Sequence, residues 1–235
     1  MAEQRQPLYE GAVALQPQLE SLDVLSESLT GNQSKIYLSV KRLFDIVGSI
    51  LALITFSPIF LVTAIAIKIE DPKSTVFFKQ QRTGQHGVSF DFWKFRSMIA
   101  NADALKDSLR KYNEMSGPVF KITNDPRVTK VGRFIRKTSI DELPQMINVL
   151  RGEMSFIGPR PLPVKEEMGC TPYQRQREVV VPGISCLWQI SGRNKIDFDG
   201  WIDLDLKYIR EQSLFGDLAI LIKTPAAVLR RDGAA

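Results

Sequence analysis

Ile46-Val-Gly-Ser-Ile-Leu-Ala-Leu-Ile-Thr-Phe-Ser57-Pro58-Ile-Phe-Leu-Val-Thr-Ala-Ile-Ala-Ile67 runs for 22 residues without a charge, with Lys41 and Arg42 before it and Lys68 after it. At about 1.5 Å per residue, an unbroken helix of this length reaches about 33 Å and crosses a bilayer's hydrocarbon core. Pro58 argues against an unbroken helix. It has no N–H to give the carbonyl of Ile54, and its ring crowds the preceding turn. The two halves, roughly 11 and 9 residues, each cover only about half of the core. A kinked span and a re-entrant hairpin that dips into one leaflet both fit. A buried helix of a soluble protein fits poorly, because the run is apolar on every side. A spanning helix carries its basic excess on the cytoplasmic side, whereas here positive charge stands at both ends. The hairpin is therefore the preferred reading, with Ser57 and Pro58 as its break.

Working outward, the chain divides into a mobile N-terminal tail at 1–34, the membrane hairpin at 35–72 and a catalytic body at 73–235. The tail is rich in Gln, Glu and Ser, lacks the features of a signal peptide and carries net charge −4. The rest of the 235-residue chain carries +9. A cationic body suits an anionic partner: nucleic acid, a phosphate-bearing substrate or an acidic membrane surface.

In the body, Thr75 to Lys79 and Val88 to Met98 are expected as strands joined by a turn at Arg82 to Gly87. Period two sets Phe90, Phe92, Lys94 and Arg96 on one face, grading from apolar to cationic as a surface meeting lipid and headgroup would, or as a half-buried strand with a solvated basic end. A polar helix is expected over 99–113, a loop at Asn124 to Val128 and a short strand from Met154 to Ile157. Helices follow over 200–212 and 214–231, the second able to lie on a membrane or to close the core. No strand–helix alternation runs through the chain, which argues for a compact α+β domain with interfacial helices rather than a doubly wound sheet.

Arg136 to Pro161 carries the chemistry. Ser139 and Glu142 match a capping box, and Leu143, Met146, Ile147 and Leu150 follow at helical spacing, so a helix is expected to start near Ser139 to Asp141. Pro144 suits a first turn. Asp141 and Glu142 would then sit at the positive end of a helix, although a capping box with an extra Asp is also ordinary helix punctuation. If a diphosphate binds there, a carboxylate attacking it meets repulsion of about 4 kcal/mol per charge pair at 4 Å and an effective dielectric near 20. Arg136 and Arg160 flank the acids, and Lys94 and Arg96 could approach from the hairpin strands. Glu142 could hold Mg²⁺ across phosphate oxygens while Asp141 attacks phosphorus to give an aspartyl phosphate.

His86 is the only histidine, which disfavours Ser-His-Asp and His-zinc chemistry. Cys170 and Cys186 match neither a zinc pattern nor a disulfide framework, as expected of a reducing compartment. Asp197-Phe-Asp199 and Asp203-Leu-Asp205 spell the Asp-x-Asp motif of metal-dependent nucleotide-sugar glycosyltransferases, a second enzymatic reading. A third is a basic lipid-binding scaffold whose cations only hold headgroups.

From about Lys41 to Arg231 the chain resembles the bacterial sugar transferases, the monotopic phosphoglycosyl transferases. The blocks are Lys41-Arg-Leu-Phe-Asp45, Ser57-Pro58, Phe92-Trp-Lys-Phe-Arg-Ser-Met98, Asn124-Asp-Pro-Arg127, Thr138-Ser-Ile-Asp-Glu-Leu-Pro-Gln145, Asn148-Val-Leu-Arg-Gly-Glu-Met-Ser155, Gly158-Pro-Arg-Pro161, Pro182-Gly-Ile184, Gln189 and Ser191-Gly-Arg-Asn194. The resemblance implies transfer of hexose 1-phosphate from a UDP-sugar to undecaprenyl phosphate with release of UMP, in two steps with Mg²⁺. It implies Asp141 as nucleophile, Glu142 as metal ligand and Arg136 and Arg160 as supporting cations. Pro159, Pro161, Gln189, Arg193 and Asn194 become candidate nucleotide or sugar contacts. It also implies a re-entrant helix at the cytoplasmic face of the bacterial inner membrane, no nucleic-acid partner, and downstream glycosyltransferases as neighbours. The Asn124-Asp-Pro-Arg127 and Leu187-Trp-Gln189 blocks suggest glucose or galactose, with an N-acetylated sugar open. Val181, where the family more often has Arg or Lys, and Cys186-Leu-Trp188 depart from its pattern. Larger relatives add spanning helices and a further domain, so the chain is expected to be a short-form member.

Overall fold

The computed structural model describes residues 29–30 and 34–229, with Asn194 and Leu229 by backbone alone, so most of the stretch read as a tail lies outside the described residues. Helix α1 spans Lys35–Thr55 and α2 spans Ser57–Glu70, bent by 58° where they meet. Among the described residues no single helix is long and apolar enough to cross a membrane, although the bent pair together has the length and composition. The joint is Phe56. Its N–H still reaches the Ala52 carbonyl at 2.9 Å, while Ser57 Oγ donates to the Ile54 carbonyl at 2.7 Å, the acceptor that Pro58 leaves unpaired. Serine thus supplies the hydrogen bond that proline removes, and the chain turns without a buried orphan.

The charges bracketing this run are taken up by the body. Arg42 donates to the Val149 and Leu150 carbonyls at 2.6 and 2.7 Å. Asp45 accepts from Ser155 Oγ at 3.0 Å and from the Phe156 N–H at 2.9 Å. Lys41 reaches Asp217 at 2.6 Å and the Ile157 carbonyl at 2.9 Å. At the far end Lys68 donates to the Ser74 carbonyl at 2.7 Å, and Glu70 accepts the Lys130 N–H at 2.8 Å. Lys41, Arg42 and Lys68 are therefore not free flanking charges. Lys41 and Arg42 fasten α1, and Glu70 the end of α2, to one and the same body, while Lys68 closes the turn after α2 on Pro72 and Ser74; between these anchors Leu51, Ile54, Leu61 and Val62 stand 59–67% exposed.

In the body, β1 (Phe77–Thr83) and β2 (Ser89–Phe95) form an antiparallel hairpin in which Phe77 faces Phe95 and Thr83 faces Ser89. Helix α3 (Lys130–Lys137) leads to a 3₁₀ turn at Ile140–Glu142 and then to α4 (Gln145–Arg151). Strands β3 (Ser155–Ile157) and β4 (Gly183–Ser185) pair in parallel across two short helices, α5 (Val164–Glu167) and α6 (Pro172–Arg175). The chain closes with α7 (Leu187–Ser191), α8 (Phe198–Arg210) and α9 (Leu214–Leu229). Helices with two small sheets make the expected α+β arrangement.

The main core gathers on α8, whose Phe198, Trp201, Ile202, Leu206 and Ile209 are buried with Ile157, Leu162 and Val180, and Leu29 joins them. A second cluster joins Phe90 and Phe92 to Val149 and Met154, so the apolar end of that strand face packs inside rather than against lipid. A third joins Ile67 of α2 to Phe95 and Ile135, with Phe60 packed against it.

Three local expectations fail. Strand β1 runs on from Phe77 to Thr83 and does not end near Lys79, so Arg82 pairs with Phe90 and lies in the strand, not in the turn. Residues 99–113 form turns and a 3₁₀ helix at Asp107–Tyr112: Ile99, Ala102, Leu105, Leu109 and Tyr112 recur at helical spacing, but Ile99, Leu105 and Tyr112 stay exposed, so no packed face holds a longer helix. Ser139 is no cap. Its φ is 56° and its side chain makes no capping bond, so α4 starts only at Gln145, with Pro144 immediately before it.

Candidate active site

The non-helical start brings the acids into the body. Ser139 in the left-handed region turns the chain sharply, and the following 3₁₀ turn buries Asp141. Lys94, near the end of β2, lies 3.1 Å from Glu142 and 3.7 Å from Asp141. Arg160 comes from the loop after β3, where Gly158 and Gly183 approach so closely that a Cβ on Gly183 would lie 2.1 Å from the Gly158 nitrogen. Only glycine fits both sides of that crossing. It aims Arg160 at Glu142, with Nη1 at 3.3 Å and Nη2 bonded to the other oxygen.

The neighbouring carboxylates thus have unlike surroundings. Burial alone would raise Glu142, but Arg160 and Lys94 overcome it and hold Glu142 well below the usual carboxylate range. Burial pushes Asp141 up, against the pull of Lys94, with Glu142 adding to the rise and Arg136 and Arg160 opposing it. Asp141 accepts no hydrogen bond among the described residues, and its one ion pair there is the 3.7 Å contact with Lys94. Burial lowers Lys94 despite its two acidic partners.

These groups line a cavity of about 480 Å³. Arg136 reaches its wall from α3, and its Nη1 is buried without a hydrogen-bond partner. Gln189 and Arg193 line it too, and Arg193, with φ 50°, shares with Ser139 a left-handed conformation that non-glycine residues seldom adopt. Strain at two points of one cavity wall is typical of a working site.

Arg96 also borders the cavity, but its guanidinium is engaged by Thr75, with Nε 2.8 Å from the Thr75 carbonyl. Pro159 and Pro161 are buried beside a void of about 10 Å³ instead. Their carbonyls are structural acceptors, taking the Gly183 N–H at 2.9 Å and Arg82 Nη1 at 2.6 Å. The side chain of Asn194 lies outside the described residues.

Sequence reasoning passed over several lining residues. Arg82 stacks 4.1 Å from the Phe92 ring and is pushed down to about 9 by burial and by nearby Arg160. Lys121 is pushed down to about 8, first by burial. The Lys106–Glu166 pair, 2.9 Å apart, forms another part of the wall. Arg82 is legible only as part of a turn and Lys106 only as part of a polar helix, while Lys121 and Glu166 carry no local signal.

The Asp-x-Asp tripeptides serve the fold. Asp197 caps α8 through the Gly200 N–H at 2.9 Å, Asp199 accepts from Gln174 and Asp203 from Tyr173. Asp205 is buried in a 2.7 Å pair with Arg177. None of the four lines the cavity. Cys170 and Cys186 are free, buried thiols, each pushed up to about 12 chiefly by burial, which suits neither to act as a nucleophile.

Three cations surround two carboxylates in this cavity, one saturated and one open, an arrangement suited to handling phosphate. The family model for bacterial sugar transferases matches residues 36–231, and the chain belongs to that family. It is 46% identical over 201 residues to the galactosyl transferase CpsE of Streptococcus agalactiae, covering 84% of this chain and 44% of that protein. It is 44% identical over 200 residues to the undecaprenyl-phosphate galactose phosphotransferase of Salmonella typhimurium, covering 83% and 41%. Over 201 residues it is 42% identical to the exopolysaccharide production protein ExoY of Rhizobium meliloti, covering 81% of this chain and 86% of that protein. The chain thus spans less than half the length of the first two relatives.

Proposed function

We propose that the protein is a phosphotransferase that moves hexose 1-phosphate from a UDP-sugar to undecaprenyl phosphate, releasing UMP, in the first membrane step of exopolysaccharide assembly. The observation that carries this reading is the unequal treatment of the acidic pair. Glu142 is locked by Arg160 and Lys94, whereas Asp141 keeps a carboxylate without hydrogen bonds on a cationic cavity wall. Asp141 attacks the sugar-bearing phosphorus of the donor. The bond from that phosphorus to the bridging oxygen breaks, UMP leaves and an aspartyl phosphosugar forms. The phosphate of the lipid acceptor then attacks the same phosphorus and returns Asp141 as a carboxylate.

Lys94, Arg136 and Arg160 offset the repulsion between carboxylate and diphosphate, and the unpaired Nη1 of Arg136 gains a phosphate oxygen as its missing acceptor. Among the described residues no group of three or more His, Cys, Asp or Glu side chains could hold a metal ion alone. Mg²⁺ is usually bound by one or two carboxylates together with substrate phosphates; Glu142 is the residue that would hold it, and to do so it would have to release one of its contacts with Arg160 or Lys94. When bound, the ion supplies charge neutralisation at the phosphate oxygens.

The bent α1–α2 pair enters one leaflet from the cytoplasmic face of the inner membrane and returns. Both of its outer ends are anchored to the same body, and its exposed apex is apolar. This geometry sets a cavity for a soluble donor beside a bilayer-bound acceptor. The test is UMP release from a panel of UDP-sugars, with undecaprenyl phosphate as acceptor. One preferred UDP-hexose with stoichiometric UMP supports the reading; release of UDP, or of no nucleotide, contradicts it.

A further inference from the structure

Helix α3 has two uses. Its inner face buries Gly132 and Ile135 and carries Arg136 to the cavity wall. On its outer face Lys130, Arg133, Phe134 and Lys137 fall at successive i, i+3, i+4, i+7 positions, and all four are exposed. Phe134 is 63% exposed. Among the described residues the three cationic side chains have no hydrogen-bond or ion-pair partner. An aromatic ring set among unpaired cations is a costly surface to show to water and a favourable one at a membrane interface.

The helix also stands at the base of the apolar pair. Glu70, the last residue of α2, accepts the Lys130 N–H at 2.8 Å, and Ile67 of α2 packs with Ile135. A bilayer that takes up the α1–α2 apex therefore brings its headgroups to the level of α3. We infer that the Lys130, Arg133, Phe134 and Lys137 stripe is a docking surface for anionic phospholipid headgroups of that bilayer. The ring seats among the acyl-chain ends while the three cations meet the phosphates. This rests on the membrane placement proposed above.

Three cations close to an acidic surface favour it on the order of 100-fold over a neutral one at low salt. The test is flotation of the full chain, diluted from detergent, with vesicles of phosphatidylcholine alone or of phosphatidylcholine with about one third phosphatidylglycerol. The K130Q/R133Q/K137Q variant should lose most of the preference for anionic vesicles and keep its binding to neutral ones, and its UMP release in detergent should be unchanged. K165Q/K207Q/R210Q removes the same charge from α5 and α8, and should keep the preference. Wild-type protein without a preference, or a stripe variant that retains it, overturns the inference while leaving the apolar wedge intact. Failure to bind either vesicle overturns the wedge as well.

Discussion

The body holds several buried clusters of arginine and carboxylate, Arg127 with Asp125 among them, and two of the others are built differently. Around Arg177 and Asp205 the charges are paired at 2.7 Å beneath the stacked rings of Trp188 and Trp201, and Asp205 is wholly buried. Around Asp141 and Glu142 three cations face two acids and a cavity of about 480 Å³ opens beside them, whereas an unpaired guanidinium nitrogen is common to both clusters, Nη1 of Arg136 here and Nη1 of Arg177 there. The first cluster fills its space with its own groups. The second leaves charge and room for something else, and that contrast separates a structural ion pair from a site more firmly than burial does.

Asp141→Asn should show the largest effect, a loss of UMP release of about 1000-fold or more. Because burial already disfavours the ionised form of Asp141, the neutral amide should leave the Tm unchanged or slightly raised. A large fall in Tm would place this carboxylate with the structural cluster instead. Arg177→Met should do the reverse. It strands Asp205 in the core and should cost about 3–5 kcal/mol in urea unfolding, and Arg177→Met/Asp205→Leu should recover part of that loss.

Arg136→Gln removes the cation whose nitrogen is unpaired, and should lower kcat/KM by about 10- to 100-fold with little change in stability. The smallest effect concerns pH. Burial raises the folded pKa of Asp141, so the proposed nucleophile should be lost to protonation at a higher pH than an ordinary aspartate, and the acid limb of kcat/KM should lie above that of an ordinary aspartate. Glu142, held low by Arg160 and Lys94, stays ionised across that limb. Arg136→Gln should move the limb further up, and an acid limb at the ordinary aspartate position would remove the distinction between the two acids.

Much of this was legible in the chain. The apolar run with Ser57-Pro58 foretold a broken helix, because proline's missing N–H acts locally whatever surrounds it. The acidic pair, Lys94 and Arg160 could be named as a group. What failed depended on tertiary packing. Ser139 and Glu142 spell a capping box, but Glu142 is drawn to Arg160 and Lys94, and Ser139 turns left-handed to deliver the pair inward. Arg96 follows the same strand period as Lys94, yet Thr75 engages its guanidinium. Lys41, Arg42 and Asp45 resemble flanking charges until the carbonyls, amide and hydroxyl that they meet, about 110 residues away, are in place. Arg82 and Glu166 come to the cavity only through long-range pairing, which no local pattern encodes.

The most direct measurement is the intact mass of the protein after incubation with its UDP-sugar and Mg²⁺, with no lipid acceptor present. A gain of one hexose phosphate, mapped by peptide fragmentation to Asp141 and missing from Asp141→Asn, is the expected result. If UMP forms only when the acceptor is present, and a rapidly quenched protein never carries the adduct, then Asp141 is not the nucleophile.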